Sequence, residues 1–449
     1  MRRSSAASIL LLLLSGCARL PDFSRHTGTI AFPAGTIVLH HELAVAAGAH
    51  DLEIRGDPSG TTLRAAADFK GRALIYAKDA TGLRLVNFRI DGNRAALARP
   101  VGLPAGDTPF ARYYRNNGIV IENAARVSVR DVSLSGVANY PLIVSASSGV
   151  RIEGVRISDC GSLLPDGRNN ASGGILLEEG THDFDVRLCT ISRVRGNAIW
   201  THSFYHSPRN SNGVIDGNDV EEVARDAIQV GHATHITVHG NTGRRIGYPA
   251  AIVDIASWAV PVALDTAGNV DQSTYAGNRF YDINGKCMDL DGFHDGQIRD
   301  NSCISRGPYE SYPYAQFGIV FNNSNPDDDS TNVLITGNVI DGAGYGGLYL
   351  LGSHQVITHN RFLGLNRNRC TDDRTRPRCD YSLGDPALLH SGIYLVPGAA
   401  RPTKTAHNEI SNNEVSGFGM SKWCVEAAPG VTLADNQVAN NRCSEGAVR

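Results

Sequence analysis

The sequence predicts an all-β chain wound into a single-stranded parallel solenoid of about 10–13 coils. Two patterns predict it. A small residue followed by alternating apolar residues recurs at Gly118-Ile119-Val120-Ile121, Gly174-Ile175-Leu176-Leu177, Ala227-Ile228-Gln229-Val230, Gly318-Ile319-Val320-Phe321 and Gly392-Ile393-Tyr394-Leu395. A second strand then closes on a polar residue plus asparagine, at Asn218, Asn241, Asn278, Asn301, Asn338, Asn360, Asn413 and Asn436, with spacings of 23, 37, 23, 37, 22, 53 and 23 residues. Composition agrees. Glycine is abundant, at 48 of 449 residues, and charged residues are only 19%, which suits short strands and tight turns better than a helical bundle.

Each element has a physical reason. One coil of two or three short strands cannot bury a face alone, but stacked coils pair in parallel about 4.8 Å apart and share one core. Asparagine tolerates the left-handed conformation of a sharp bend, and its amide can bond the next asparagine in the stack. Helix-period runs are nearly absent, which excludes leucine-rich and helical repeats. These residues resemble the right-handed parallel β-helix of the pectin-lyase type, over residues 28–443. Residues 444–449 form a tail. Breaks in the repeat fall at 95–116, 203–212, 258–272, 309–316 and 366–389, and insertions this long are often functional.

The N-terminus reads as an export signal. Arg2 and Arg3 precede the apolar run Ala6 to Leu14, which is too short to span a bilayer. Leu14-Ser15-Gly16-Cys17 resembles a bacterial lipobox. This implies a signal peptide over 1–16, a lipid on Cys17, a linker over 17–27 and an outer-membrane location. Eight further cysteines, an even number, fit an oxidising compartment. Cys370 and Cys379 bracket a polar loop and are the best pair, and Cys424 to Cys443 marks a last coil that cysteines could tie down. With 42 Lys+Arg against 45 Asp+Glu, no positive excess exists to neutralise a nucleic acid. A monomer held at the membrane by its lipid is expected.

Alternate residues of a strand share a face. With the Ile-x-apolar positions inward, the outward set includes Glu178, Trp200, His202, Gln229, Asp289, Asp291, Asn322, Tyr349 and Tyr394, with His232 just past its strand and His294 in a turn. Asp254 joins them if Val253 points inward. Carboxylates on adjacent rungs push each other's pKa values apart, so one can act as acid while another is ionised. Histidine adds a group titrating near neutral pH. Asp254, Asp289, Asp291, His294, His202 and His232 are therefore the candidate catalytic groups. Glu178, Trp200, Gln229, Asn322, Tyr349 and Tyr394 are candidate sugar contacts. No cofactor is required; Asp289, Asp291 and Asp295 could offer hard oxygens to a calcium ion.

The resemblance implies an exported enzyme acting on a polysaccharide, by hydrolysis through the aspartates or by elimination or epimerisation through the histidines. The motifs of polygalacturonases, alginate epimerases and pectate lyases are absent, so no activity transfers residue by residue. The rival readings are a non-catalytic lipoprotein that binds or exports a polysaccharide, and a structural adhesin.

Overall fold

The computed structural model describes residues 21–254, 260–324, 329–397 and 403–446. The signal segment 1–16 and Cys17 lie outside the described residues. Short parallel strands stack into a right-handed β-helix, with three strands in most coils. One inward column runs Leu43, Ile75, Ile119, Leu142, Ile175, Ile199, Ile228, Leu264, Met288, Ile319, Leu348, Ile393 and Val425 in unbroken register. These thirteen rungs meet the expected coil number. The interior is one contiguous apolar core, built by stacking rather than by any single coil.

An asparagine ladder stitches one corner. Nδ2 of Asn218 donates to Oδ1 of Asn241 at 2.8 Å, and the pattern repeats through Asn278, Asn301, Asn338, Asn360 and Asn413 to Asn441 at 2.8–3.0 Å. Asn441, not Asn436, is the last rung; Asn436 instead accepts from Asn408. The left-handed conformation expected of these asparagines belongs to the residue before each: Gly217, Gly240, Gly277, Asp300, Gly337, His359, Asn412 and Asn440 all have φ between 56° and 68°. The dipeptide thus divides its labour. The first residue makes the bend, and the second satisfies buried backbone groups, as when Asn301 Nδ2 also donates to Tyr275 O at 2.9 Å.

Six of the eight cysteines beyond Cys17 are paired: Cys287–Cys303, Cys370–Cys379 and Cys424–Cys443. The last ties down the final coil, as expected. Cys160 and Cys189 are free thiols buried in the core, where burial pushes both up to about 12 and keeps them inert.

Asn301→Ala removes one ladder amide and orphans the backbone N–H of Asn278, which donates to Asn301 Oδ1 at 3.0 Å. Each buried group left unpaired costs about 1–3 kcal/mol. Chemical denaturation should show a loss of about 2–4 kcal/mol, while Lys70→Ala, on an exposed strand position, should stay within about 0.5 kcal/mol of wild type.

Candidate functional site

The outward column beside the core runs Tyr76, Val120, Ile143, Leu176, Trp200, Gln229, Asp265, Asp289, Val320, Tyr349, Tyr394 and Glu426. In the coil expected to turn Ile252 and Asp254 outward, Asp265 takes the place of Ile252 and Ala267 that of Asp254. The strand of that coil is Val262–Asp271, and Asp254 sits in the preceding insertion, just after the short helix Ala250–Ile252. There its backbone N–H meets Asn169 Oδ1. The reading of Val253 as an inward strand residue is therefore corrected, and the insertion lies before Val262 rather than over 258–272.

The first half of this column is roofed. The short helix Phe110–Tyr113 lays Phe110, Ala111 and Tyr114 on Val120, Ile143, Leu176 and Trp200, forming a second apolar cluster. Glu178 is fully buried beneath it and accepts the N–H groups of Phe110 and Ala111, both at 2.9 Å. Burial pushes Glu178 up to about 7. Trp200 packs edge-on against Phe110 at 5.0 Å. Glu178 and Trp200 thus anchor the insertion, which corrects their assignment as exposed sugar contacts. Tyr394 is buried too, its hydroxyl bonded to Asp385 of the 366–392 loop. Tyr349 is half-buried against Phe317.

Where the apolar roof ends, the column turns polar. Asn197 Nδ2 donates to Gln229 Oε1, and Gln229 Nε2 to Asp265 Oδ2, both at 2.6 Å. Lys286 Nζ donates to Asp289 Oδ2 at 2.5 Å. Asp226, just ahead of its strand, accepts from Val262 N at 3.0 Å and lies 3.4 Å from Arg225. Three carboxylates thus share two cations. Burial, then the charges of Asp226 and Asp289, drives Asp265 well above the carboxylate range; burial raises Asp226 to about 6. Burial and the neighbouring carboxylates thus favour the protonated form of Asp265, while Asp289 is paired with Lys286.

One column over, between His202 and Asp291, the rungs carry Gly231 and Ala267. These are the smallest side chains of that column, beside Gln229 and Asp265. A bulge follows Gly231, and His232 adopts φ 45° there, the kind of irregularity that re-aims a side chain. A Cβ on Gly231 would lie 2.8 Å from Thr201 O and 3.6 Å from Trp200 Nε1, so close packing requires the glycine. Trp200 Nε1, His202 Nδ1, His232 Nδ1 and Asp289 Oδ1 are all buried without a hydrogen bond. Such unsatisfied groups are costly.

The other expected groups sit around this stretch or beyond it. Asp291 accepts Ser324 N at 2.7 Å and the Ser324 hydroxyl, and burial raises it. Asn322, the next rung, accepts its neighbour's N–H. His294 lies past the Gly292 corner, paired in register with Asp271 and bonded to Asp295 at 2.8 Å. Asp295 also accepts from Asn332. Asp289, Asp291 and Asp295 therefore point to separate protein donors, not to one calcium-sized centre. Among the described residues, one trio has metal-ligand spacing, Glu178, Glu179 and His202; both oxygens of Glu178 already accept backbone N–H groups.

Asp226, Asp265, Lys286 and Asn197 are the site residues missed from sequence. Their signals were Asp226 immediately before Ala227-Ile228, and Lys286 three residues before Asp289.

Residues 73–257 match the family model described as the right handed beta helix region. Solved structures of the same fold include a mutant DFA-IIIase from Arthrobacter chlorophenolicus A6 in complex with DFA-III, at 15% identity over 94% of this chain and 91% of that one, with a TM-score of 0.50. The N-terminal fragment of bacteriophage Phi29 gene product 12 aligns at 12% identity, over 89% and 66%, with a TM-score of 0.59. An exopolygalacturonase from Thermotoga maritima aligns at 11%, over 76% and 83%, with a TM-score of 0.49. No curated protein matches the chain. At these identities the likeness is one of fold: the protein is a right-handed parallel β-helix.

His202 and His232 are held down near 4, His202 by burial and then by His232, and His232 by burial and then by Arg209. The folded chain thus binds fewer protons than the unfolded chain between their ordinary value and about 4. Their contribution is intact above pH 6.5 and is lost as pH falls from there toward 4. A His202→Gln, His232→Gln double variant should lose part of the wild-type fall in thermal midpoint over that window. Equal falls in both proteins would show that the imidazoles are not buried neutral.

Proposed function

We propose that the protein is an exported glycoside hydrolase that cleaves a polysaccharide on the outer face of its β-helix. One observation carries this reading: Asp265 and Asp289 stand on adjacent rungs, with burial favouring the protonated form of Asp265 and Lys286 paired with Asp289. Glycosidic cleavage needs that division, an acid to protonate the leaving oxygen and a carboxylate to attack or to activate water. Adjacent rungs lie about 4.8 Å apart, close to the carboxyl spacing of about 5–5.5 Å that goes with a covalent intermediate and retained configuration. In this reading Asp265 is the acid and Asp289 the nucleophile. Gln229 holds the Asp265 carboxyl in place, Lys286 pairs with Asp289, and His202 and His232 donate to or accept from sugar hydroxyls beside them.

Several features support the wider setting. Three disulfides fit an oxidising compartment, and the lipobox-like Cys17 would tether the enzyme at the cell envelope, in the outer membrane. The protein structures of similar fold include a polygalacturonase and DFA-IIIase bound to DFA-III. A polysaccharide partner is consistent with a long face and several rungs of hydrogen-bonding groups.

Reducing-end release from a panel of polysaccharides, with and without calcium, tests the reading. Asp265→Asn and Asp289→Asn should each lower turnover about 10²–10⁴-fold, while Asp254→Asn should stay within about twofold of wild type. The rate should fall as pH rises through the titration of Asp265, since only its protonated form donates. Unchanged turnover in Asp289→Asn, or binding without cleavage across the panel, would remove the hydrolase reading and leave that of a polysaccharide-binding lipoprotein.

A further inference from the structure

Glu178 and His202 are paired in register on adjacent rungs of one outward column, about 4.8 Å apart. Glu179, the next residue, would ordinarily point to the opposite face of the strand. Its backbone is left-handed instead, at φ 55°, and its carboxylate returns to the same side, with Oε1 3.9 Å from His202 Nδ1. Glutamate is a poor residue for a left-handed position, so the turn itself does not call for it. One donor atom from each of the three side chains lies within 4.8 Å of the other two. The 3.9 Å separation is too long for a hydrogen bond. It falls within the span of about 3.3–4.2 Å between two ligands that each lie about 2.0–2.1 Å from one ion.

The group is sheltered and lacks a counter-charge. Glu178 is fully buried, and the side chains of Glu179 and His202 are 12% and 22% exposed. Among the described residues, the one ion-pair partner of either glutamate is His202 itself. Glu122, two rungs back in the same column, lies 3.6 Å from Arg72. His202 Nδ1 is buried with no hydrogen bond. Holding two neighbouring carboxylates out of water without a cation is costly. A divalent cation would neutralise both and give the imidazole nitrogen its partner.

An outer shell orients all three side chains. The N–H groups of Phe110 and Ala111 each donate to one oxygen of Glu178, and Phe204 N donates to Glu179 Oε1 at 3.3 Å. A carboxylate oxygen has two lone pairs, so one N–H leaves room for an ion. The rings of Phe110, Trp200 and Phe204 stand edge-on to His202 at 5.1, 5.0 and 5.2 Å and hold its plane. Hydrogen-bonded carboxylates and an apolar surround of this kind are what support metal ligands.

We infer that His202 Nδ1, Glu178 and Glu179 bind one divalent transition-metal ion of the zinc type, with water completing its coordination. Imidazole with carboxylate donors suits zinc, whereas calcium takes about six to eight oxygens. The site includes neither Asp265 nor Asp289 and does not depend on the hydrolase reading. The ion ties the Phe110–Tyr113 roof, held by Glu178, to the segment after His202, held by Glu179 through Phe204.

The test titrates chelator-treated, full-length mature protein with zinc, calcium and magnesium chlorides by calorimetry. One zinc per chain should bind with a dissociation constant of about 1 μM or below, and calcium and magnesium at least about 100-fold more weakly. His202→Ala and Glu179→Gln should each weaken zinc binding at least about tenfold. His235→Ala, at an exposed histidine, should stay within about twofold of wild type. Glu179→Gln leaves Glu178 and the roof in place, and its thermal midpoint without metal shows that it folds. The rise in midpoint that zinc gives the wild type should be absent from it. Zinc binding unchanged in both variants, which would put the metal on surface histidines, overturns the inference. So does saturation only in the millimolar range, or calcium bound as tightly as zinc.

Discussion

Parallel stacking at fixed register is the constraint on which the rest depends. A residue in this fold has its neighbours chosen by the coil above and the coil below, about 4.8 Å away. Like groups therefore meet whether or not they attract. Asparagines meet profitably, because each amide offers a donor to one side and an acceptor to the other, as from Asn278 through Asn301 to Asn338. Apolar residues meet profitably in the core. Aspartates do not. Asp265 beside Asp289 is a repulsion built into the register; it helps raise the pKa of Asp265, and Lys286 pairs with Asp289.

The same register explains how far the sequence could be read. Inward and outward positions alternate strictly, so the pattern from Val120 to Tyr394 was legible once the phrase was recognised. It failed at one coil. Ala251-Ile252-Val253 imitates the phrase, while the true strand places Thr266 inward, where its hydroxyl donates to Asp289 O at 2.9 Å. A polar residue in an inward slot hid the strand, and Asp265 went unseen with it. Roofing was illegible for another reason. That Glu178 and Trp200 lie beneath Phe110 is a contact between residues 68 and 90 positions apart, made by an irregular insertion with no period to read. Left-handed residues before each ladder asparagine were visible as dipeptides, but which member made the bend needed the backbone.

A buried polar network can be purely structural, and the molecule supplies its own comparison. The outward column is covered along much of its length. Under the helix Phe110–Tyr113 it is filled by Val120, Ile143 and Leu176, all fully buried. A few rungs on, positions in the same column carry Gln229, Asp265 and Asp289. Apolar residues would serve packing at least as well, since a buried ion pair is often no more stabilising than a hydrophobic replacement. Unpaired atoms do not by themselves set this stretch apart: Trp200 Nε1, His202 Nδ1, His232 Nδ1 and Asp289 Oδ1 lack hydrogen bonds, but so do the hydroxyls of Tyr140 under the roof and Tyr275 in the core. What sets it apart is charge. Asp226, Asp265 and Asp289 gather with Arg225 and Lys286 where the same column elsewhere holds apolar residues, and packing alone does not call for them.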